Sequence, residues 1–303
     1  MIRWYVKKAA RAVAAGMSWA SGSMQLRELV GRGPRIRVLT YHRVRDVRHE
    51  PFSVTVAEFE RQMAWLSRHH TVISLNRLVD FVGGRRDIPP NAVLVTIDDG
   101  YVDLRSHALP ILSKYRIPAV AFITAGEMAA ASDTGDDRKL TSAEVDELSR
   151  SGITVGSHAF DHRSLGRMPA DQAARQATVS RTALRRVTGS PVTAFAYPFG
   201  TRLDFTAATG VALRSAGYRC AFTSQHGPVT RSSDPMELPR IKIEGGDPFW
   251  VFRLAVRGGL DCWRLVDRLG AALQSTERGT RSPSATPVPA SPKPSTLATR
   301  TLN

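Results

Sequence analysis

Two short runs of the sequence combine side chains that can bind a metal ion and move a proton. Asp98 and Asp99 are adjacent carboxylates, and His158 and His162 lie four positions apart. Two neighbouring carboxylates oppose each other's ionisation unless a cation is close. Two imidazoles and one carboxylate would make a metal site with an open position, and the second carboxylate would be a general base beside it. Each run also has a plainer interpretation. Asp-Asp-Gly is common turn chemistry with a helix cap, and the histidines can be one surface residue and one hydrogen-bonded loop residue.

The elements that must position these side chains are predicted strands. An apolar run ends immediately before Asp98, before His158, before Pro198 and before His42. In parallel α/β folds, reactive residues lie at the carboxyl ends of the strands. We therefore expect the four polar runs to meet at one edge of a sheet.

Strands alternate with helices from Ile36 onwards, which predicts right-handed βαβ units and a parallel sheet. The predicted strands are Ile36–Tyr41, Val72–Leu75, Ala92–Ile97, Ala119–Thr124, Ile153–Ser157, Thr193–Tyr197, Cys220–Thr223 and Ile241–Ile243. The predicted helices are Val56–Arg68, Leu78–Phe81, Leu104–Tyr115, one opened by the capping box at Thr141, Pro169–Val187, Ala207–Ala216 and Asp261–Leu273. The fold class is α/β, and the expected architecture is a distorted (β/α) barrel of about seven parallel strands.

Three of the strand-end runs resemble motifs of the polysaccharide deacetylases, the NodB-homology group of carbohydrate esterase family 4. Thr96-Ile-Asp-Asp-Gly100 resembles that family's T-F/Y-D-D-G motif. Ser157-His-Ala-Phe-Asp-His162 resembles H-S/T-x-x-H, with Ala159 where Ser or Thr is usual. Ala196-Tyr-Pro-Phe-Gly200 is similar to R-x-P-Y/F-G, and the order along the chain agrees. The resemblance implies a distorted barrel and the metal-dependent removal of N-acetyl, sometimes O-acetyl, groups from sugars.

The resemblance also implies roles for individual residues. Asp99, His158 and His162 match the metal ligands, and zinc is the expected ion, with cobalt, nickel or iron as alternatives. Asp98 matches the catalytic base, which takes a proton from the water that attacks the acetyl carbonyl. The backbone N–H of Phe199 matches the donor to the tetrahedral oxyanion.

The sequence departs from the family pattern at two places. The Arg that usually opens the third motif and orients the base is Ala196 here, and Arg240 is the candidate replacement, with a surface Arg or an ordinary ion pair as its alternative. The late L-x-H motif, which supplies an acid histidine, is absent after residue 200. Val38-Leu-Thr-Tyr-His-Arg-Val44 instead resembles the N-terminal segment of the exopolysaccharide (poly-N-acetylglucosamine type) deacetylases, whose barrel is circularly permuted. His42 then matches the acid, and His226 is the alternative.

The composition leaves the partner open. Lys and Arg exceed Asp and Glu to give a net charge of +15, which makes anionic partners plausible. No basic helix, zinc-finger spacing or aromatic RNA platform is visible, so we expect no nucleic-acid partner. An N-acetylated glycan is the expected substrate, and a lipid-linked or O-acetylated sugar is an alternative. A glycan-binding relative without activity is a further alternative, although such a module needs no open metal site. Nothing in the sequence indicates the oligomeric state.

The two ends of the chain differ from the predicted barrel at 34–274. Residues 1–33 form a basic amphipathic segment with Trp4 and Trp19 beside a basic face that includes Lys8 and Arg11. This segment predicts a helix that rests on a membrane surface, with a solvated helix or a weak secretory signal as alternatives. No run reaches the roughly 18 apolar residues of a spanning helix. We expect a location in the cytoplasm or at the inner-membrane surface, with the periplasm as the alternative. Residues 275–303 are rich in Ser, Thr, Pro and Ala, which predicts disorder.

Overall fold

A computed structural model describes residues 2–22, 33–47, 49–130 and 133–267. Its main feature is one parallel sheet, confirming the predicted α/β barrel of about seven parallel strands. The strands are β1 (Arg37–Tyr41), β2 (Arg43–Val44), β3 (Ser53–Val54), β4 (Thr71–Val72), β5 (Ala92–Ile97), β6 (Ala119–Ile123), β7 (Thr154–Ser157), β8 (Ala194–Ala196), β9 (Cys220–Phe222) and β10 (Ile241–Lys242).

Helices cover this sheet. They are α1 (Ile2–Ala20), α2 (Val56–His69), α3 (Leu75–Val82), α4 (Leu109–Lys114), α5 (Ser142–Arg150), α6 (Ala170–Thr188), α7 (Ala207–Ser215) and α8 (Phe249–Val256), with a π-helical turn at Leu104–Ala108 before α4. None of the helices in the described residues is both long enough and apolar enough to cross a lipid bilayer.

The strand order is β10-β1-β5-β6-β7-β8-β9, and β4 adds to β5. The sheet curls so that its two end strands approach each other. Leu238 makes a parallel bridge to Phe222 in β9, and three residues later Ile241 pairs with Leu39 in β1. The segment that leads into β10 therefore links both ends of the sheet and places every carboxyl end on one rim.

Local sequence signals explain most of the boundaries. The central strand β5 is buried along its whole length, as its unbroken apolar run requires for a strand covered on both faces. Helix α5 begins with the predicted capping box, in which Thr141 and Glu144 bond each other's backbone N–H groups. Helix α6 ends at Gly189, whose left-handed conformation (φ 62°) needs no Cβ to be accommodated.

Several predicted boundaries differ from the structure. The strand predicted at Val72–Leu75 is only two residues long, and Leu75 already begins α3. Helix α8 was not predicted, because its sequence is apolar on nearly every position and lacks a polar face. Of the helix predicted at Asp261–Leu273, residues 263–267 are helical and the remainder lies outside the described residues. The tail predicted at 275–303 also lies outside them.

The N-terminal segment is helical, but its orientation differs from the prediction. Lys8 and Arg11 are buried against the barrel, 7% and 1% exposed, where they contact the carboxylates of Glu244 and Asp247. The expectation that these two cations form an outward basic face is therefore wrong. Helix α1 binds the barrel through its charges, because two carboxylates follow β10 at that edge.

Candidate active site

The three predicted metal ligands meet at the carboxyl edge of the sheet. Asp99 follows β5, and both histidines follow β7, two places along the strand order. Nε2 of His158 and Nε2 of His162 each lie 3.4 Å from Oδ1 of Asp99. One donor atom from each residue lies within 4.8 Å of the other two, and no other trio of this kind comes together among the residues that the structure describes. Two imidazoles and a carboxylate at this spacing match a catalytic divalent-metal site with an open position.

The backbone around this trio is strained. Asp99, Ala159, His162 and Phe199 all have positive φ, at 73°, 64°, 54° and 62°. Only two other described non-glycine residues have positive φ. Such conformations cost about 1–3 kcal/mol each and persist where the surrounding structure imposes them. Ala159, which departs from the family motif, is therefore at one of these strained positions.

Hydrogen bonds orient His158 for ligation. Its Nδ1 lies 2.8 Å from the carbonyl oxygen of Ala196, at the end of β8. The Nδ1–H group donates to this carbonyl, so Nε2 is the ring nitrogen that faces Asp99. Burial raises the pKa of Asp99, but the two neighbouring imidazoles outweigh burial and hold this pKa far below its ordinary value. The carboxylate is therefore ionised, as a metal ligand must be.

Asp98 faces a different partner. It is 2% exposed, and both of its carboxylate oxygens lie 2.8 Å from the guanidinium of Arg240, which is 1% exposed. Nε of Arg240 also donates to the carbonyl of Thr223 at 2.9 Å. Burial raises the pKa of Asp98, but the charges of Arg240 and His158 outweigh it, so this pKa lies below its ordinary value. Arg240 is thus no surface residue, and it orients the carboxylate that matches the base of the family motif.

His42 lies level with Asp98 in the neighbouring strand. Tyr41 pairs with Ile97, and the Asp98 N–H donates to the Tyr41 carbonyl at 2.9 Å. Burial lowers the pKa of His42, and the charges of Asp98 and Asp99 oppose this shift. Its Nδ1 is buried and has no hydrogen-bond partner. The imidazole is therefore predominantly neutral and has a ring nitrogen available.

His226 has different surroundings. It is 1% exposed, and its Nδ1 lies 2.9 Å from a carboxylate oxygen of Asp267. The same oxygen accepts the His226 backbone N–H at 2.8 Å. Burial lowers the pKa of His226, while Asp267 opposes that shift. The pKa of His42 thus depends on Asp98 and Asp99, whereas the pKa of His226 depends on Asp267.

Phe199 supplies a free backbone donor. The turn Pro198-Phe199-Gly200 closes on itself through a bond from the Gly200 N–H to the Pro198 carbonyl at 2.7 Å. Among the described residues, none accepts the Phe199 N–H. The Phe199 ring is 58% exposed and touches His162 edge to face at 5.0 Å. A residue beside the predicted metal ligand His162 thus carries an N–H that is open to a bound molecule.

A family model described as polysaccharide deacetylase matches residues 85–221, a range that contains the ligand trio, Asp98 and Phe199. Residues 85–221 form a polysaccharide deacetylase domain. His42 and Arg240 lie outside the matched range, and the structure brings them to the candidate site as the sequence analysis predicts.

Individual deacetylases are similar to this chain over most of its length. The poly-beta-1,6-N-acetyl-D-glucosamine N-deacetylase of Staphylococcus aureus is 25% identical over 228 residues, covering 68% of this chain and 77% of that protein. The structure of IcaB from Ammonifex degensii matches with a TM-score of 0.64 and 26% identity, covering 75% of this chain and 97% of that one. The Streptococcus pyogenes deacetylase PplD, solved in complex with acetate, has the same fold, with a TM-score of 0.64, 20% identity and coverage of 70% and 94%.

Two cations beside the candidate site were missed by sequence reasoning. Arg43 follows His42, and its guanidinium lies 2.5 Å from Asp103 and 2.9 Å from Asp137. Lys139 donates from Nζ to the carbonyl of Asp99 at 3.0 Å, which supports the strained ligand backbone. These partners are distant in sequence, and no local motif links them.

Proposed function

We propose that this protein is a metal-dependent deacetylase that hydrolyses N-acetyl groups of an N-acetylated glycan. One observation carries the proposal. An ionised, Arg-oriented carboxylate, Asp98, is adjacent in sequence to a trio of metal-ligand side chains, and the two are held at one rim of the barrel. This combination suits hydrolysis, because Asp98 can take a proton while the separate trio holds a metal ion as the Lewis acid.

The ligand trio fits a divalent metal by the chemistry of its donors. Asp99 is ionised, and the Nδ1–H of His158 is already engaged by Ala196, which leaves Nε2 free to coordinate. Two nitrogens and one oxygen favour zinc, and cobalt, nickel and iron accept the same donors. When bound, such an ion would polarise the acetyl carbonyl and make a water easier to deprotonate.

Asp98 and Phe199 would act on different atoms during the attack on the acetyl carbon. The Asp98 carboxylate, fixed by two bonds from Arg240, accepts a proton from the attacking water. Water oxygen then forms a bond to the carbonyl carbon, and negative charge gathers on the former carbonyl oxygen. The free N–H of Phe199 donates to this oxygen, which stabilises the transition state because the donor is fixed before the reaction.

His42 would complete the reaction. When the carbon–nitrogen bond breaks, the departing nitrogen must gain a proton, because an unprotonated amine anion is a very poor leaving group. The pKa of His42 is lowered, so its imidazole is neutral before the reaction and must take up a proton during it. The proton that Asp98 removes from water is close by and balances this requirement. The products are acetate and a free amine on the sugar.

The substrate class rests on the relatives. The Staphylococcus aureus relative is named for poly-beta-1,6-N-acetyl-D-glucosamine, and it spans most of this chain. We therefore propose a glycan that contains N-acetylglucosamine, either finished or as a precursor. The exposed ring of Phe199, at the rim beside His162, is placed to contact such a sugar.

Acetate release from N-acetylglucosamine oligosaccharides tests the proposal. Protein stripped with EDTA and reloaded with Zn²⁺ or Co²⁺ should release acetate, and the stripped protein should not. Binding of one equivalent of metal is measured in parallel, with Asp99→Asn as the matched variant that should lose it. Acetate release that survives exhaustive chelation would contradict the metal-dependent mechanism. Stoichiometric metal binding without acetate release from any acetylated sugar would favour a glycan-binding relative instead.

A further inference from the structure

Helix α1 has an unusual orientation on the barrel. A helix on a protein surface normally buries its apolar stripe and exposes its charges. Here the buried side of α1 carries Lys8, Arg11 and Ser18 together with Ala15, each 9% exposed or less. The opposite side is apolar. Its large side chains are between 54% and 66% exposed, and they are Tyr5, Val6, Val13, Met17 and Trp19. We call these five residues the outer face of α1.

This inverted orientation is fixed by charge. Lys8 and Arg11 contact Glu244 and Asp247 at distances between 2.8 and 3.6 Å, and Lys7 adds a contact to Glu244 at 2.8 Å. Rotating α1 to bury its apolar side would leave two buried carboxylates without partners, which costs several kcal/mol. The outer face is therefore held outwards by the fold.

The apolar surface continues beyond the helix. Leu265 and Val266 are 60% and 48% exposed, on a segment that reaches α1 through a contact between Cys262 and Ser18. Thirteen large hydrophobic side chains are exposed in the described residues, and seven of them belong to the outer face of α1 or to this pair. Such a concentration of exposed apolar surface marks an interaction site.

The charges around this surface identify the partner. Helix α1 contains no acidic residue. The segment 249–267 carries three arginines and two aspartates, of which Asp261 pairs with Arg37 and Asp267 contacts His226. Two copies of this chain would bring positive charge against positive charge, whereas anionic lipid headgroups would attract it. Tyr5 and Trp19, near the two ends of the helix, are residues that favour the boundary between headgroups and acyl chains.

We propose that the outer face of α1 docks onto an anionic lipid bilayer, with the helix lying in the interface. The docking places the membrane beside the site, because Glu244 and Asp247, which bind α1, follow β10 at the catalytic rim. Tyr5 also contacts His49, at 3.1 Å, in the loop that follows His42. The proposal differs from a basic-face interaction, because apolar insertion supplies the affinity and Lys8 and Arg11 take no part. It does not depend on the deacetylase activity.

Vesicle co-sedimentation tests this proposal with a matched pair of variants. The full chain should bind vesicles of phosphatidylcholine and phosphatidylglycerol. Val6→Glu/Val13→Glu should weaken binding about tenfold or more, because two side chains no longer enter the apolar layer. Val179→Glu/Val211→Glu makes the same chemical and charge change at exposed valines on α6 and α7, and should change binding less than about twofold. Circular dichroism should be the same for all three proteins.

Four outcomes would overturn the inference. They are no vesicle binding by the unaltered chain, equal binding to phosphatidylcholine alone, undiminished binding by the Val6/Val13 variant, and an equal loss in the control variant. Sedimentation velocity supplies a separate test. A dimer of the unaltered chain that the Val6/Val13 variant dissociates would show that a second copy covers the outer face of α1, and the lipid proposal would fail.

Discussion

Two buried charge clusters lie at the same rim of the barrel, and they differ in how completely their groups are satisfied. The α1 clamp consists of Lys7, Lys8, Arg11, Glu244 and Asp247. Its cations contact all four carboxylate oxygens. None of these five residues has a positive φ. The carboxylates of the clamp are therefore saturated and its backbone is unstrained, and only Nη1 of Arg11 has no hydrogen-bond partner.

The catalytic cluster is strained and partly open. Asp99 and His162 have left-handed backbones, Nδ1 of His42 has no partner, and the Phe199 N–H has no acceptor among the described residues. Only Asp98 is saturated, by Arg240. Burial and charge alone therefore do not distinguish an active site from a structural cluster. Strain together with unused hydrogen-bonding capacity does, because a substrate can then complete the arrangement.

The largest expected effect separates the two adjacent carboxylates. Asp98→Asn should keep the bound metal and lose roughly two to four orders of magnitude in turnover, the range for removing a general base. Asp99→Asn and His158→Ala should lose both the metal and the activity, because a ligand is gone. Metal content and acetate release are measured on the same samples. Loss of metal from the Asp98 variant as readily as from the Asp99 variant would reverse the two roles.

Arg240→Met tests whether the buried ion pair between Asp98 and Arg240 also stabilises the fold. Removing the guanidinium leaves Asp98 buried without its partner, so the pKa of Asp98 should rise and the free energy of unfolding should fall by about 3–5 kcal/mol. Arg231→Met removes an exposed arginine paired with Asp87 and should cost less than about 1 kcal/mol. Urea unfolding at neutral pH measures both. Equal costs for the two variants would contradict a special role for the buried pair.

Glu244→Gln tests the clamp through pH. Burial raises the pKa of Glu244, but Arg11, Lys8 and Lys7 outweigh it and lower this pKa from 4.5 to about 2. A folded-state pKa below the unfolded value means that the stabilisation is complete above about pH 4.5 and is lost as pH falls towards 2. The shift corresponds to about 3 kcal/mol, and the Gln variant should lack this part of the acid dependence. Deacetylation per folded molecule at neutral pH should be unchanged.

Unfolding curves at several pH values supply the measurement for Glu244→Gln. Lys7→Ala is the graded control, because Lys7 is 45% exposed and its pair should contribute less than about 1 kcal/mol. If the free energy of unfolding depends on acid pH identically in the unaltered chain and the Gln variant, the charge of Glu244 does not stabilise the fold.

His42→Ala gives the smallest of these effects and decides which histidine is the acid. It should keep the metal and the fold but lose turnover on N-acetyl sugars by about a hundredfold, the lower range for a general acid. The loss should be smaller on an activated acetate ester, whose leaving group needs no proton. His226→Ala is the matched variant and should keep its turnover on both substrates. The opposite pattern would assign the acid to His226 and reject the resemblance to the permuted branch.

The sequence predicts the parts of the site that lie within one strand and the turn after it. Asp98 and Asp99 are placed by β5, and the two histidines by β7, because a buried apolar run fixes where a strand ends and which residues reach the rim. The alternation of these runs with helices also predicts the parallel sheet. Such information is local, so spacing alone conveys it.

Only the tertiary structure brings Arg240 to Asp98, across 142 positions of sequence, and sets Asp267 against His226. The orientation of α1 was mispredicted for the same reason. Its sequence shows an apolar side and a basic side, but which side is buried depends on Glu244 and Asp247, more than 230 positions away. A pattern within one helix determines that two faces exist. The charges of the surface against which it packs decide which face turns inwards.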